Sequence, residues 1–315
     1  MSEYLKCYKV KLHVLSPVHI GSGTKIGKKE YIYMPWNHQV IIPDIQKMYA
    51  ELQKKHLEKE FETYMLDTRT KGLALGKWLS THKFQSKDYD KWTLYQMDAG
   101  EAFANRESAP PKEIDTFVKD AYGMPYVPGS SIKGMIRTAL ISWEIQRKPE
   151  KYEKIRQVIM QKSGERANGK QCLLRETKEL EKEILYTLNR CEKSAGNAVN
   201  DNLSGLHVGD SEPISLEQLT LSQKIDYSLD YKEKPLPLLR EALIPGTEIC
   251  FEISIDSTIC PYDMDDIIKA LNCFQKICYQ YFYSRFRRGT TKENIVWIGG
   301  GCGFLSKTIV YSLLG

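Results

Sequence analysis

Residues 8–14, YKVKLHV, alternate without a break: Tyr8, Val10, Leu12 and Val14 share one face, and Lys9, Lys11 and His13 the other. A period of two predicts a strand with one side buried and a basic outer side. The following run, SPVHIGSGTKIGKKEYIY, loses that period at Pro17, Gly21, Gly23 and Gly27, which predicts a glycine-rich loop before a second strand at 31–34. From 45 to about 116 the pattern turns polar and helical, clearest in KMYAELQKKHLEKEFETYML, with shorter helical pieces at 73–79 and 98–104. This stretch reads as a helical insertion.

Residues 123–129 are extended and punctuated by Pro125 and Pro128. They hand over to a helix at 131–146, with an apolar stripe of Ile132, Met135, Ile136, Ala139, Leu140 and Trp143. Residues 148–195 are charge-mixed and helical, interrupted by SGERANGKQ, whose composition predicts a mobile loop over 161–171. A short strand at 206–208 with a hairpin partner at 218–227 follows, then a strand at 247–256. Asp263, Asp265 and Asp266 load the start of a helix at 267–282, where the macrodipole favours acids. The closing NIVWIGGGCGFLSKTIVYSLL predicts two apolar strands around a glycine cluster.

Strands, a helix and more strands occur in both halves. The order predicts an α+β fold of two ferredoxin-like (RRM-like) modules with glycine-rich loops and helical insertions. The expected organisation is an N-terminal module at 1–147 carrying the insertion at about 45–116, a helical insertion or linker at 148–200, and a C-terminal module at 201–315.

A length of 315 residues suits two cores. With 42% hydrophobic and 27% charged residues the chain is expected to fold. The net charge of +5 is too small to identify a nucleic-acid partner, so the distribution of charge has to carry that argument. No stretch approaches the roughly 18 apolar residues of a membrane span, and MSEYLKCYKV has no apolar signal core, so a cytoplasmic protein is expected. The eight cysteines form no CxxC pair and the six histidines no HxxxH pair; reduced thiols are expected, and neither a metal nor a cofactor.

Three basic, glycine-bearing segments are candidates for chemistry. In YVPGSSIKGMIRTAL, Pro128 keeps Val127 extended, Gly129 permits a close approach, and Ser130 or Ser131 offers an N-cap oxygen. Lys133 and Arg137, at i and i+4, share a face predicted to be exposed. Cations there oppose the macrodipole by about 0.3–1 kcal/mol each, so a phosphate anion at the helix start would reverse the sign. A capped core helix with two solvated cations fits the same residues.

In HIGSGTKIGKK, glycines would let a sugar-phosphate chain approach His19, Gly21, Ser22, Gly23, Lys25, Lys28 and Lys29. Ordinary turn chemistry accounts for those glycines as well, and the spacing excludes a nucleotide-binding P-loop. The third segment joins Gly299, Gly300, Gly301 and Lys307 to YSRFRRGTTK. In the latter, Arg285, Arg287, Arg288 and Lys292 interleave with Tyr283 and Phe286, a pattern suited to a single strand or to a solvated loop. His19 is the one histidine placed for acid–base work, whereas Asp44 and Asp210 read as cap or turn formers.

HIGSG, VPGSSIKGMIRTAL, LHVGDS, REALIPGTEICFEI and IGGGCGF, in that order over most of the chain, resemble the RAMP superfamily of CRISPR proteins. Within it the resemblance is to the subunits that cap the 3′ end of the guide RNA in type III-A, or Csm, effector complexes. The resemblance implies RRM-like modules that hold crRNA by its backbone, with target RNA a further candidate. It implies contacts with a repeated backbone subunit and a small helical subunit, and crRNA maturation through host nucleases. It places Gly21, Ser22, Gly23, Ser130, Ser131, Lys133, Arg137, Gly299, Gly300 and Gly301 near RNA, so the helix-start anion would be a guide phosphate.

The aspartate with which the repeated subunit cuts target RNA has no match here, so no catalytic residue is expected. Two other readings stay open: a metal-independent CRISPR-repeat endoribonuclease using His19 with Lys25 or Lys28, and a pure protein scaffold.

Overall fold

A computed structural model describes residues 4–67, 73–103, 112–163, 174–191, 193–194, 196–301 and 308–315. The alternating N-terminal run forms β1 (Leu5–His13), with Tyr8, Val10 and Leu12 half-buried and the lysines exposed. It pairs antiparallel with β10 (Glu248–Asp256), from Leu5 opposite Asp256 to His13 opposite Glu248, and β10 pairs in turn with β7 (Leu206–Val208). This three-stranded sheet is ordered β1-β10-β7.

A second sheet has seven strands, ordered β2-β6-β9-β8-β5-β4-β3: β2 (Gly21–Ile26), β3 (Ile32–Met34), β4 (Gln39–Pro43), β5 (Thr93–Asp98), β6 (Glu113–Phe117), β8 (Leu219–Tyr227) and β9 (Glu233–Leu243). Its neighbours are antiparallel except β5–β8 and β6–β9. The architecture is mixed helix and strand, consistent with ferredoxin-like modules bearing helical insertions. Strands from before 147 and after 200 nevertheless interleave in both sheets, and one large core runs from Val14 through Leu140 to Leu313.

Several elements differ from expectation. Gly21–Ile26 is an edge strand and not a loop: its backbone pairs with β6 across a register shift between Gly21 and Lys25, and its serine, threonine and lysine are exposed. The stretch 45–116 is helical only in part. Helices α1 (Ile45–Lys54), α2 (Glu58–Leu66), α3 (Leu75–Thr81) and α4 (Ser86–Tyr89) enclose a second core around Met48, Leu52, Trp78 and Trp92, but β5 and β6 belong to the main sheet. The described part of 98–104 is the end of β5 and a turn.

The strand beginning at Leu219 pairs with β9 and not with 206–208. Strand β9 went unpredicted because Pro235 and Pro237 argue against one; the register shift between Gln223 and Ile225 falls where Pro235 lies opposite Ile225. Val310–Leu314, read as strand, is helix α9.

Helix α5 (Gly129–Arg147) buries Ile132, Ile136, Ala139, Leu140, Ile141 and Ile145 and packs on α8 (Met264–Tyr281). Asp263 caps α8 by accepting from Asp266 N at 2.9 Å while Asp266 reaches back, a reciprocal box that fixes the start. Asp44 caps α1 by accepting from the backbone N–H groups of Gln46 and Lys47. The charge-mixed region supplies α6 (Pro149–Ser163) and α7 (Leu174–Leu185); the loop predicted as mobile lies mostly outside the described residues. No described helix is long and apolar enough to cross a membrane. Among the described cysteines, burial pushes the Cys278 thiol up to about 12, and Cys273 is half-buried with its thiol also raised by burial.

Candidate nucleic-acid interface

Helix α5 starts as its sequence suggests, but with different partners. Pro128 occupies the cap position in extended conformation and no side chain caps it; Ser130 and Ser131 lie inside the first turn. Gly129 is required because a Cβ there would stand 2.1 Å from the carbonyl oxygen of Val208. Its N–H donates to Asp210 Oδ1 at 2.7 Å. The anion at the helix start is therefore a carboxylate of the chain itself.

Lys133 and Arg137 are also engaged, which corrects the expectation of an exposed cationic face. Lys133 Nζ donates to the carbonyls of Leu203 and Leu206 at 2.8 and 2.7 Å, closing the 3-10 turn Asn202–Gly205 onto the helix. Burial lowers its pKa. Arg137 pairs with Glu181 and, at 2.7 Å, with Asp201. Burial disfavours its charge, yet the hydrogen bonds to Asp201 and Glu181 outweigh that and raise its pKa. Two carboxylates pair with Arg137 and two carbonyls accept from Lys133, in the place the sequence assigned to a phosphate.

The glycine segments do converge. Gly300 N donates to His19 O at 2.7 Å, so the segment containing Gly299–Gly301 is tied to the start of β2. Gly299 sits at φ +81°, and a Cβ there would meet His19 O at 2.2 Å. Gly21, Ser130, Ser131, Gly299 and Gly300 then line one cleft of about 430 Å³, floored by Trp297 and Ile298. A neighbouring cleft of about 640 Å³ shares Trp297, Ile298 and Gly300, and adds His19, Arg240 and Tyr283. Ser22 and Gly23 continue along exposed β2, where the hydroxyls of Ser22, Thr24 and Thr116 bond to one another.

His19 is 8% exposed, and its Nδ1–H donates to Glu241 O at 2.7 Å. Burial lowers its pKa and nearby Arg240 adds to the effect, so the ring is neutral at pH 7 and offers no charge to a phosphate. Beneath it Glu241, with no exposed surface, accepts from Phe117 N at 2.7 Å and from Tyr95 and Lys119. This satisfied buried carboxylate locks β5, β6 and β9 together below the clefts.

The remaining predicted cations divide. Lys25 lies 3.5 Å from both Glu113 and Asp115, and Lys29 donates to the carbonyls of Tyr64 and Asp67 at the C-terminal end of α2, so both are used within the chain. Lys28 is exposed. Arg287 lies over the Tyr231 ring at 4.4 Å, and Arg288 over Tyr227 at 4.6 Å with an ion pair to Glu233. They flank the β8–β9 hairpin next to the larger cleft, with Arg285 exposed nearby. Lys307 lies outside the described residues.

Sequence reasoning missed Arg240. It lines the larger cleft; its buried Nε forms an ion pair with Asp115 at 3.7 Å, too long for a hydrogen bond, and a Cβ on Gly301 would stand 2.9 Å from its Nη1. Only its place in REALIPG, with apolar residues after it, hinted at a strand position. Trp297, inside the closing apolar run, has no local pattern that marks it as a cleft residue. Among the described residues no group of three or more His, Cys, Asp and Glu side chains is arranged to hold a metal.

The RAMP superfamily model matches residues 11–306. A protein of Streptococcus thermophilus named "CRISPR system Cms protein Csm5" is 29% identical over 98% of this chain and 82% of its own length. A Mycobacterium tuberculosis protein of the same name is 30% identical, over 98% of this chain and 85% of its own. Two solved structures share the fold. The crystal structure of T.onnurineus Csm5 superposes with a TM-score of 0.66 at 19% identity, covering 88% of this chain and 82% of that one. A chain from the cryo-EM structure of a Csm-crRNA-target RNA ternary complex gives 0.68 at 20% identity, covering 96% and 87%.

Proposed function

Since the chain belongs to the RAMP superfamily, we propose that it is a non-catalytic, RNA-binding subunit of a type III-A Csm effector complex. In this reading it caps the backbone at the 3′ end of the crRNA, contacts the repeated and small helical subunits, meets target RNA in the assembled complex, and supports crRNA maturation by host nucleases. The observation that carries the reading is the meeting of three separate glycine and serine segments around Trp297, in two joined clefts. Glycines at such a place let a ribose-phosphate chain lie against backbone amides, hydroxyls suit 2′-OH and phosphate oxygens, and aromatic faces suit unpaired bases.

Lys133 and Arg137 drop out of the proposed contact set, and Arg240 enters it, with Gly21, Ser22, Ser130, Ser131, Gly299 and Gly300. The arginines at 285, 287 and 288 extend the positive edge along the hairpin. The endoribonuclease reading is weaker on chemistry: a neutral, buried His19 has its Nδ1 committed to a carbonyl, and Lys25 is drawn to two carboxylates.

The test is fluorescence anisotropy of purified protein with single-stranded RNA in EDTA over a salt titration, with the product run on a gel. Expected are intact RNA and an affinity that falls with salt, at a slope of about −0.7 per phosphate contacted. Absence of binding, or site-specific cleavage that disappears in His19→Ala, overturns the proposal.

A further inference from the structure

We infer that the larger cleft receives one unpaired base of the bound strand, while the strand's backbone passes over Gly299–Gly301 into the smaller cleft. The inference rests on the RNA-binding reading above and specifies what that site recognises.

Four aromatic rings line the cleft: Tyr227, Phe282, Tyr283 and Trp297. Tyr283 and Trp297 stack with centroids 4.6 Å apart at 26°, and Phe282 meets Tyr283 edge-on at 5.4 Å, so the corner is built before any ligand arrives. The lining also has a polar part. It carries Ser222 and Gln223 from β8 and Arg240 from β9, where the register shift between Gln223 and Ile225 breaks the regular ladder. Such irregularities re-aim side chains beside sites. Gln223 uses its amide nitrogen on Leu236 O at 2.9 Å, which leaves the amide oxygen as an acceptor. Arg240 lines the cleft as well, its guanidinium held by the ion pair with Asp115 at 3.7 Å.

Each part excludes a simpler ligand. A phosphate alone has no use for four rings. A lipid or apolar side chain would set the Gln223 amide and the cleft-facing guanidinium against carbon. A nucleobase has two π faces and a hydrogen-bonding edge, and the cleft volume of about 640 Å³ falls within the roughly 300–1,000 Å³ of small-ligand sites. Because the rings already stack on one another, the base that joins them has left its own neighbours, which is how single-stranded RNA is read by proteins. Continuity through Trp297 and Gly300 lets one strand occupy both clefts at once.

The experiment compares a uridine 12-mer with an all-abasic ribose-phosphate 12-mer, each titrated into wild type, Tyr227→Ala and Trp297→Ala, with circular dichroism to check folding. Tyr227 is partly exposed on β8, so its variant retains the fold if Trp297→Ala does not. The wild type is expected to prefer the uridine oligomer about tenfold, in line with stacking on one base, and Tyr227→Ala to erase most of that preference while still binding the abasic chain. Photo-crosslinking with 5-iodouridine is expected to label Tyr283 or Trp297. Equal affinity for both oligomers, an undiminished preference in Tyr227→Ala, or crosslinks confined to other surfaces overturns the inference while leaving the RNA-binding reading standing. Failure of wild type to bind either oligomer overturns both.

Discussion

Replacing Lys133 by methionine keeps the length and the apolar stem of the side chain while removing the ammonium that holds the carbonyls of Leu203 and Leu206 at 2.8 and 2.7 Å. Hydrogen bonds to a charged group contribute about 1.5–3 kcal/mol each, and the carbonyls they leave cost further where water does not reach them. The desolvation that lowers the Lys133 pKa works the other way and is returned on substitution. The net loss is about 3 kcal/mol. At roughly 2.1 cal/mol/K per residue, that corresponds to a fall in melting temperature of about 4–5 °C for a chain of this length. RNA affinity and its salt slope are expected to be unchanged within twofold, because the ammonium points into the fold. Differential scanning fluorimetry and anisotropy on the same sample test both halves. An unchanged melting temperature with a tenfold loss of RNA affinity and a shallower salt slope would refute the reasoning and return Lys133 to the phosphate role its position suggested.

Three further outcomes are expected. Arg240→Ala should weaken single-stranded RNA binding several-fold while leaving the salt slope unchanged, read by anisotropy, because its cleft-lining guanidinium meets a base edge and not a phosphate. Gly299→Ala places a methyl 2.2 Å from His19 O at φ +81°, so it should break the Gly300–His19 hydrogen bond and cost about 2–4 kcal/mol in urea unfolding, with RNA binding lost in parallel. His19 is held below its ordinary value of 6.5, so the unfolded chain binds the proton first as pH falls; stability is present above about 6.5 and declines toward the lower folded value. His19→Asn should therefore show a smaller drop in urea midpoint between pH 7.5 and 5.5 than wild type, and equal drops would count against a buried neutral ring.

Local patterning made a good part of this molecule legible. The two-residue alternation fixed the faces of β1, since burial of Tyr8, Val10 and Leu12 against β10 follows from side chains pointing to opposite sides. The stripe Ile132, Ile136, Ala139 and Leu140 fixed the inward face of α5, and Asp263 with Asp266 fixed where α8 begins. Gly21, Ser130, Ser131, Gly299 and Gly300 could be singled out because glycine and serine ahead of helices or between apolar runs mark close backbone approach. Pairing could not be read the same way. Strand β9 was hidden by Pro235 and Pro237, and the alternation of Thr93–Asp98 was lost inside a helical neighbourhood.

Charge was the least legible property. Lys133 and Arg137 look available in one dimension because their partners, Leu203, Leu206, Glu181 and Asp201, lie more than forty positions away along the chain. Arg240 looks ordinary for the mirror reason. The sequence alone determined periodicities, caps and the residue types able to approach a polyanion, because these depend on neighbours within a turn or a pleat. Only the tertiary structure decided which cations are spent on carboxylates and carbonyls and which face the cleft, because Coulomb and hydrogen-bond energies follow distance in space and the distant partner is brought in by the fold.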